Sequence, residues 1–484
     1  MARVLLINPP WYMFLGHSSS SIPTGLISLA GYLRKIGHEV AVYNPDLAGH
    51  LYSSDMDVLR ANETYRRRMK DESDPVFQEM RARISSFRPD VVGVHAKTPS
   101  WFSACRVARI AKELLPGSMT VCGGPHISCM PTDVVSSSAF DYGVVGEGEI
   151  ALGQLIGSKG EDRVAIAGLV SASSLVPGKC LPGSYIQDLD GLPFDGRELI
   201  WDIGQYDKMG LGAVLTARGC PYPCEYCASH KIWSQKVRYR SAANVMEEID
   251  YLKERFGLKY FEFCDDTFTV NTKRAIEICE ALSERDGVRW KCTTRADCLN
   301  VELVKWMKKA GCTEVSIGVE SGSVRILELV KKKETREEIA VGCRLLNQYG
   351  IPIAAFIMIG FPTETEAEAW ETIKFATTLG VDSLVGSIVT PYPGTPFYDW
   401  ALQHGRLPAE NDWSGFYHQN QQMGLWDVPP AQAQEIIRAW FEAIEKYNQR
   451  GSRLIGRFVS KFRSDPSGAV RKAKSFVARK LHKP

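Results

Sequence analysis

The sequence predicts an α/β protein that begins with a parallel β-sheet covered by helices. Two observations support this prediction. Short apolar runs alternate with helix-compatible stretches over the first 157 residues, which is the pattern of parallel sheets with helices on both faces. The 484 residues are 44% hydrophobic and 24% charged, an ordinary globular composition in a chain long enough for several domains.

Five apolar runs should form the strands of this first domain. They are residues 3–9, 39–46, 90–95, 120–126 and 141–146, with helices predicted at 24–36 and 101–115 and from Glu149 onward. In such sheets ligands lie at the carboxyl ends of the strands. Two of these ends carry Gly123-Gly124-Pro125-His126 and Gly146-Glu147-Gly148-Glu149, either as ligand-binding loops or as plain tight turns. No GxGxxG follows the first strand, so a dinucleotide site is not supported.

Charge and cysteine usage narrow the class of protein. The net charge of +2 argues against nucleic acid as a partner. The N-terminus does not resemble a signal peptide, and no apolar run reaches the length of a membrane span. We therefore expect a cytoplasmic protein. Its 13 cysteines are then reduced thiols or metal ligands.

The chemistry is expected at Cys220-x-x-x-Cys224-x-x-Cys227, directly after an apolar run at 212–217. Three thiolates within eight residues can hold one face of a metal centre, and soft thiolates favour iron–sulfur clusters or zinc. Structural zinc with His230 as the fourth ligand is the alternative. Because structural zinc usually takes its ligands as two separated pairs, the compact spacing favours the cluster.

This motif after a β-strand resembles that of the radical S-adenosylmethionine (SAM) enzymes, and the likeness continues along the chain. Segments similar to those of the family follow at 240–249, 260–269, 290–297, 314–323, 353–364 and 383–391. The resemblance implies a partial (β/α)6 barrel. The α/β domain that precedes it resembles the cobalamin-binding subgroup of these enzymes. The implied order is a Rossmann-like cobalamin-binding domain at 1–157, a connector at 158–205, a radical SAM barrel at 206–405 and a helical C-terminal segment at 406–484.

The resemblance also implies roles for individual residues. Cys220, Cys224 and Cys227 would ligate a [4Fe-4S] cluster whose remaining iron binds SAM, and SAM cleavage would yield a 5′-deoxyadenosyl radical. Glu320 would accept hydrogen bonds from the ribose hydroxyls. Asp265 and Asp266 would face the ammonium group of SAM. Ser316 and Arg295 would bind its carboxylate, and the adenine would lie near Tyr226 and Gly360.

Each of these SAM contacts has a structural alternative. Tyr226 would pack under the loop, and Asp265-Asp266 would form a capped turn. Ser316 would face a helix, Arg295 would pair with Asp297, and Gly360 would be a simple bend. The sequence leaves these alternatives open.

For cobalamin, the resemblance points to Gly123, Gly124 and His126. The alternative for His126 is a hydrogen-bonded loop histidine. The DxHxxG motif that supplies a histidine to cobalt in some cobalamin proteins is missing. Asn44-Pro45-Asp46-Leu47-Ala48-Gly49 stands in its place. We therefore expect cobalamin to bind without a histidine from that position.

The C-terminal segment is expected to be largely helical from Asn411 to Gln449, followed by a basic tail. Residues 450–484 carry 11 basic residues and one acidic residue, and apolar residues recur at helical spacing from Leu454 to Phe462. Basic amphipathic helices of this kind lie on anionic membranes, which would place the protein peripherally on the inner face of a membrane. The alternatives are a solvated tail and a helix packed on the barrel.

These features predict a cobalamin-dependent radical SAM methyltransferase that acts on an unactivated carbon of a hydrophobic or lipid-like small molecule. An external one-electron reductant such as flavodoxin or ferredoxin would be its partner. The alternatives are oxidative cyclisation or ring rearrangement with the same cofactors, a methylthiotransferase, and a non-catalytic metal-binding module. A methylthiotransferase would need an N-terminal cysteine-ligated cluster, and the first 100 residues contain no cysteine. No side chain is singled out as a catalytic acid or base.

Overall fold

The computed structural model describes residues 1–15, 22–47, 62–171, 183, 185–407, 412–420 and 424–450. These residues divide into two compact units. The first unit lies within residues 1–206, 227–238 and 391–420, and the second lies within 207–226, 239–390 and the described part of 421–484. Each unit is built on its own six-stranded sheet.

The sheet of the first unit confirms the five strands expected from the sequence. They are β1 (Arg3–Ile7), β2 (Glu39–Tyr43), β3 (Val91–His95), β4 (Met119–Gly123) and β5 (Tyr142–Val144), and β6 (Leu169–Val170) adds a sixth. The order is β2-β1-β3-β4-β5-β6. Strands β1 to β5 pair in parallel, and β6 is antiparallel to β5. All but the first residue of β1 are buried, as expected for a strand with helices on both faces.

The helices of this unit lie largely between the strands. They are Thr24–Lys35, Asn62–Lys70, Pro75–Phe87, Trp101–Leu114, Pro125–Cys129, Thr132–Ser136, Gly148–Gly157, Ser229–Ile232 and Pro396–Gln403. Between residues 158 and 205 the described elements are β6 and the 3-10 helices Gly160–Ala165, Asp195–Leu199 and Ile203–Gln205. The helices predicted at 24–36, at 101–115 and from Glu149 onward are confirmed by Thr24–Lys35, Trp101–Leu114 and Gly148–Gly157.

The second unit contains the six parallel strands of the predicted barrel. They are β7 (Ala213–Val214), β10 (Tyr260–Phe263), β11 (Arg289–Thr294), β12 (Cys312–Glu320), β13 (Ile353–Ile359) and β14 (Ser383–Ile388), while β8 (Ala217–Arg218) and β9 (Arg238–Tyr239) are short strands outside this sheet. The order β14-β13-β12-β11-β10-β7 follows the chain, and each pair is parallel. This is the arrangement of a partial (β/α)6 barrel.

The helices that alternate with these strands begin at capped positions. They are Lys208–Leu211, Ala242–Phe256, Thr272–Ser283, Val301–Lys309, Val324–Leu329, Arg336–Gln348 and Glu366–Thr378. Thr335 and Thr365 form capping boxes with Glu338 and Glu368, so the first backbone N–H groups of two helices have partners.

The predicted helical C-terminal region is the helix Pro430–Asn448, which packs on the edge strand β14. The side-chain amide of Asn448 accepts from Leu384 N at 2.9 Å and donates to Leu384 O at 2.8 Å. These bonds satisfy backbone groups that an edge strand otherwise leaves open. The Trp440 indole N–H donates to Ala369 O at 3.0 Å.

Residues 412–420 differ from the helix expected from residue 411 onward. They contain the 3-10 helix Trp413–Gly415. The Asp412 carboxylate accepts hydrogen bonds from the backbone N–H and the side-chain hydroxyl of Ser414, which favours a turn over a helix. The basic tail at 451–484 lies outside the described residues. Among the described helices, none combines the length and the apolar character needed to cross a bilayer.

Candidate active site

The cysteine loop, residues 220–227, follows β7 and β8. Gly219 turns the chain into this loop with a φ of 108°, a conformation that glycine adopts without strain. All three cysteines are thiols rather than disulfides. Cys224 is buried, and Cys220 and Cys227 are half-buried. Burial raises the pKa of the Cys220 and Cys224 thiols, but coordination by a metal deprotonates a thiol outright.

The donor set fits an iron–sulfur cluster. Thiolates are the ligands that hold such clusters. Three free thiols lie on one loop of eight residues, with Cys224 buried and Cys220 and Cys227 half-buried.

Asp265, at the end of β10, fastens the chain that leads into the cysteine loop. Its carboxylate accepts from Thr216 N at 2.6 Å, from Ala217 N at 3.0 Å and from the Thr216 hydroxyl. Arg274 donates to Thr216 O at 2.6 Å from the other side. Burial raises the pKa of Asp265, and the bonds from Thr216 lower it. Asp265 is therefore engaged by backbone, whereas its neighbour Asp266 is exposed.

Glu320 ends β12 within a buried group of charges that the sequence did not indicate. Lys332 Nζ lies 3.5 Å from Glu320 Oε1 and 3.2 Å from Glu334 Oε2, and it donates to Gly318 O. Glu320 adopts a φ of 61°, a strained conformation of the kind that clusters at functional sites. The Lys332 ammonium and the Glu320 carboxylate both act on the Cys224 thiol, the first lowering its pKa and the second raising it.

Arg295 pairs with Asp297, which is the structural alternative to binding the SAM carboxylate. Its guanidinium donates to Asp297 at 2.9 and 2.7 Å and to Lys332 O at 2.8 Å. The guanidinium also stacks 3.8 Å from the centroid of the Tyr222 ring in the cysteine loop. Arg295 thus connects β11 to the loop that carries Lys332. Ser316 is half-buried on β12, in register with Thr293 of β11.

Gly360 and Tyr226 belong to one neighbourhood at the end of β13. Gly360 has a φ of 92°, and a Cβ there would lie 3.0 Å from Gly424 Cα. The Tyr226 ring packs edge-on to Phe361, 6.5 Å between centroids. Glu364, which the sequence analysis missed, accepts from Gly360 N at 2.6 Å and from Phe361 N at 3.1 Å. Its burial gives no signal in sequence because it lies in a polar Thr-Glu-Thr-Glu run.

At the carboxyl edge of the first sheet, Gly124 and His126 have different roles. Gly124 has a φ of 105°, and a Cβ there would lie 2.6 Å from His95 Cδ2, so only glycine lets this loop approach β3. Gly123 is half-buried, with Val144 O 3.8 Å from the position of a Cβ. The His126 imidazole is enclosed between Trp101 and Trp413, and its Nε2 is 3.1 Å from Asp133. The His126 ring is fully buried and presents no surface to a ligand. In this loop, a ligand can therefore contact the glycines but not His126.

Three polar side chains follow strands of the first sheet or lie close to them. Lys97, just after β3, is exposed, yet desolvation by the surrounding protein lowers its pKa and nearby Asp46 raises it. His418 is also exposed and accepts from or donates to Tyr392 at 2.9 Å. Desolvation and Lys97 lower the pKa of His418. Asp46 itself is buried and accepts from Trp11 N at 2.8 Å. Lys97 and His418 are therefore exposed polar groups in a partly desolvated setting.

Two family models match the chain. The model of the radical SAM superfamily matches residues 214–376, and the model of the B12 binding domain matches residues 18–156. The first range contains the cysteine loop and strands β10 to β13. The second contains strands β2 to β5 and both glycine-rich loops.

Relatives agree with these models. An uncharacterized methyltransferase of Pyrococcus horikoshii is 33% identical over 370 residues, covering 75% of this chain and 80% of that protein. The anaerobic magnesium-protoporphyrin IX monomethyl ester cyclase of Rubrivivax gelatinosus is 30% identical over 404 residues, covering 81% and 68%. The solved structure of the radical SAM methyltransferase TsrM from Kitasatospora setae, with cobalamin and a [4Fe-4S] cluster, aligns with a TM-score of 0.67 at 19% identity, covering 92% and 88%. At that identity the structural likeness shows the fold.

Proposed function

The chain belongs to the family of cobalamin-dependent radical SAM enzymes that includes methyltransferases, and we propose that it transfers a methyl group to an unactivated carbon of a small-molecule substrate. Its cofactors are a [4Fe-4S] cluster, SAM and cobalamin. The observation that carries the proposal is the cysteine loop after β7, fastened by Asp265, in a chain that also has a B12 binding domain.

Cys220, Cys224 and Cys227 would hold the cluster. When bound, the cofactors supply a radical that removes a hydrogen atom from the substrate and a methyl group that replaces it. The protein keeps the loop in place through the Asp265 carboxylate, which accepts hydrogen bonds from the backbone N–H groups of Thr216 and Ala217. Buried surroundings around Cys224 would exclude water from the reacting groups.

The SAM contacts would come from the ends of β10, β12 and β13. We propose Glu320 for the ribose hydroxyls, with Lys332 holding its carboxylate. Asp266, which is exposed, and Ser316, which is half-buried, would take the polar groups of the amino acid. Tyr226 and Gly360 would flank the adenine. Arg295 would act by positioning the Lys332 loop, because its hydrogen bonds are directed at Asp297 and at Lys332 O.

Cobalamin would bind at the carboxyl edge of the first sheet. We propose that the backbone of Gly123 and Gly124 approaches the cofactor and that the exposed side chains of Lys97 and His418 bind its polar groups. His95 adds a buried Nδ1 for which the described residues offer no hydrogen-bond partner, a group that a bound molecule can satisfy.

Oxidative cyclisation is the second candidate, since the Rubrivivax gelatinosus relative is a cyclase. The two reactions differ in product mass, because methylation adds the mass of a CH2 group and cyclisation does not. The test is anaerobic reconstitution with iron, sulfide, cobalamin and methyl-deuterated SAM, followed by mass spectrometry of candidate substrate pools. Transfer of the deuterated methyl group supports methylation. A product that has lost hydrogen and carries no label supports cyclisation.

Two further parts of the proposal concern partners. A flavodoxin or ferredoxin would supply single electrons to the cluster. The basic tail would hold the enzyme on an anionic membrane, where hydrophobic or lipid-like substrates are found, because 11 basic residues in 450–484 act together on such a surface.

A further inference from the structure

We propose that the buried ion pair between Glu147 and Arg238 is a positioning device, which holds the segment of the third cluster cysteine on the cobalamin-binding loops. These loops are residues 123–126 and 146–149, and the inference rests on the proposed function. Both partners lie in the first unit. Their side chains are 1% and 3% exposed.

The guanidinium of Arg238 connects three segments of that unit. It donates to both carboxylate oxygens of Glu147 at 2.8 Å and to Ile186 O at 2.8 Å. Its other terminal nitrogen donates to Trp233 O at 3.0 Å. Trp233 follows the helix Ser229–Ile232, which begins two residues after Cys227. One side chain therefore joins the 146–149 loop to the segment that leaves the cysteine loop.

A second contact fastens the same segment near the other cobalamin-binding loop. The helix Ser229–Ile232 packs against the helix Pro125–Cys129, which directly follows Gly124. A Cβ on Gly394 would lie 3.0 Å from Cys129 Sγ and 3.5 Å from Lys231 Cγ, so the packing here is close. Ser229 N lies 3.5 Å from Cys227 Sγ as a donor. Movement of this helix would therefore move a partner of the Cys227 thiol.

Stability alone does not explain a charged pair at this position. Apolar residues of similar volume often stabilise a protein as well as a buried ion pair does. The guanidinium instead supplies direction, since its planar fork bonds Glu147 and two backbone carbonyls at fixed angles. Loss of the fork should leave the cluster and cobalamin bound but free the helix Ser229–Ile232, and with it the N–H group that donates to the Cys227 thiol.

The experiment uses the full chain, reconstituted anaerobically with iron, sulfide and hydroxocobalamin. The readout is the ratio of reduced to oxidised cluster at a fixed solution potential, measured from the EPR signal of the reduced cluster, because hydrogen bonds to the ligand sulfurs tune the reduction potential of a cluster. The double variant Glu147→Leu/Arg238→Met leaves no unpaired buried charge, and Arg238→Lys keeps the charge but not the fork. The control Lys112→Met removes an ion pair with Asp141. Asp141 directly precedes β5, at the end of this strand opposite to the 146–149 loop.

We expect both Arg238 variants to retain wild-type iron, sulfide and cobalamin contents while the ratio of reduced to oxidised cluster changes at least twofold, and the control to match the wild type. An unchanged ratio in fully loaded variants would overturn the inference. So would loss of both cofactors together with a lower melting temperature, because that result shows a purely structural role. A wild-type protein that binds no cluster or no cobalamin would refute the proposed function instead.

Discussion

Replacing Glu364 by glutamine should stabilise the protein increasingly as the pH rises from 5 to 8, with the smallest effect near pH 5. The Glu364 residue is 2% exposed and accepts the N–H groups of Gly360 and Phe361 through Oε2. Its Oε1 is buried and finds no hydrogen-bond partner among the described residues. Burial raises the pKa of this carboxyl to about 8, although the two backbone N–H groups oppose the shift.

The direction of the pH effect follows from proton binding. In the unfolded chain the glutamate pKa is about 4.3, so between this value and about 8 the folded state holds a proton that the unfolded state has lost. The free energy of unfolding therefore falls as pH rises through this window. The slope is at most about 1.4 kcal/mol per pH unit. Glutamine has no proton to lose and keeps an acceptor oxygen for both N–H groups, so the variant should lack this slope.

The assay is urea unfolding of the full-length, cofactor-loaded protein at about pH 5, 6, 7 and 8. The stability difference between Glu364→Gln and wild type should grow with pH to roughly 2 kcal/mol. This is less than half of the full linkage, which is about 5 kcal/mol for a pKa that rises from about 4.3 to about 8. The control Glu366→Gln removes an exposed carboxylate of the same segment and should follow the wild type. Parallel curves for Glu364→Gln and wild type would refute the reasoning.

Four other predictions concern the cofactors and the tail. Alanine at any cysteine of the 220–227 loop should abolish 5′-deoxyadenosine formation and lower the iron content, and retained deoxyadenosine would contradict the ligand assignment. Asp265→Ala leaves two buried N–H groups without an acceptor, at about 1–3 kcal/mol each, so both thermal stability and cluster content should fall; an unchanged melting temperature would count against the anchoring role. EPR of Co(II)-loaded protein should show no hyperfine splitting from an axial nitrogen, and such splitting would indicate a histidine such as His95. Deleting residues 450–484 should abolish sedimentation with anionic vesicles but not SAM cleavage, since each basic residue contributes about 1 kcal/mol at such a surface; a full-length protein that ignores these vesicles at low salt would exclude membrane docking.

Local sequence was sufficient for the first sheet and for the cysteine loop. The strands β1 to β5 and β7 lie within or beside runs expected from the spacing of apolar residues. The strands β10 to β14 lie within or beside the segments that the resemblance to radical SAM enzymes indicated. The cluster cysteines lie within eight residues of one another, so their spacing alone indicates a shared metal centre. Local spacing failed at residues 412–420, where a side-chain bond from Asp412 favours a turn.

The tertiary structure decided which side chains surround these elements. Glu147 and Arg238 are 91 positions apart and Thr216 and Asp265 are 49 apart, and such pairs depend on which strand ends and loops adjoin. His126 is turned inward because the helix after Gly124 directs its ring between two tryptophans.

The Lys331-Lys332-Lys333 run shows why the sequence could not make these distinctions. The side chain of Lys331 is 63% exposed and that of Lys332 is 3% exposed, although the two residues are chemically identical neighbours. Lys332 is the buried one because the loop after the helix Val324–Leu329 directs it to Glu320 and Glu334, whose carboxylates compensate the loss of water around its charge. Burial of a charge depends on partners that the fold brings together, and no property of the lysine run itself indicates which residue will meet them.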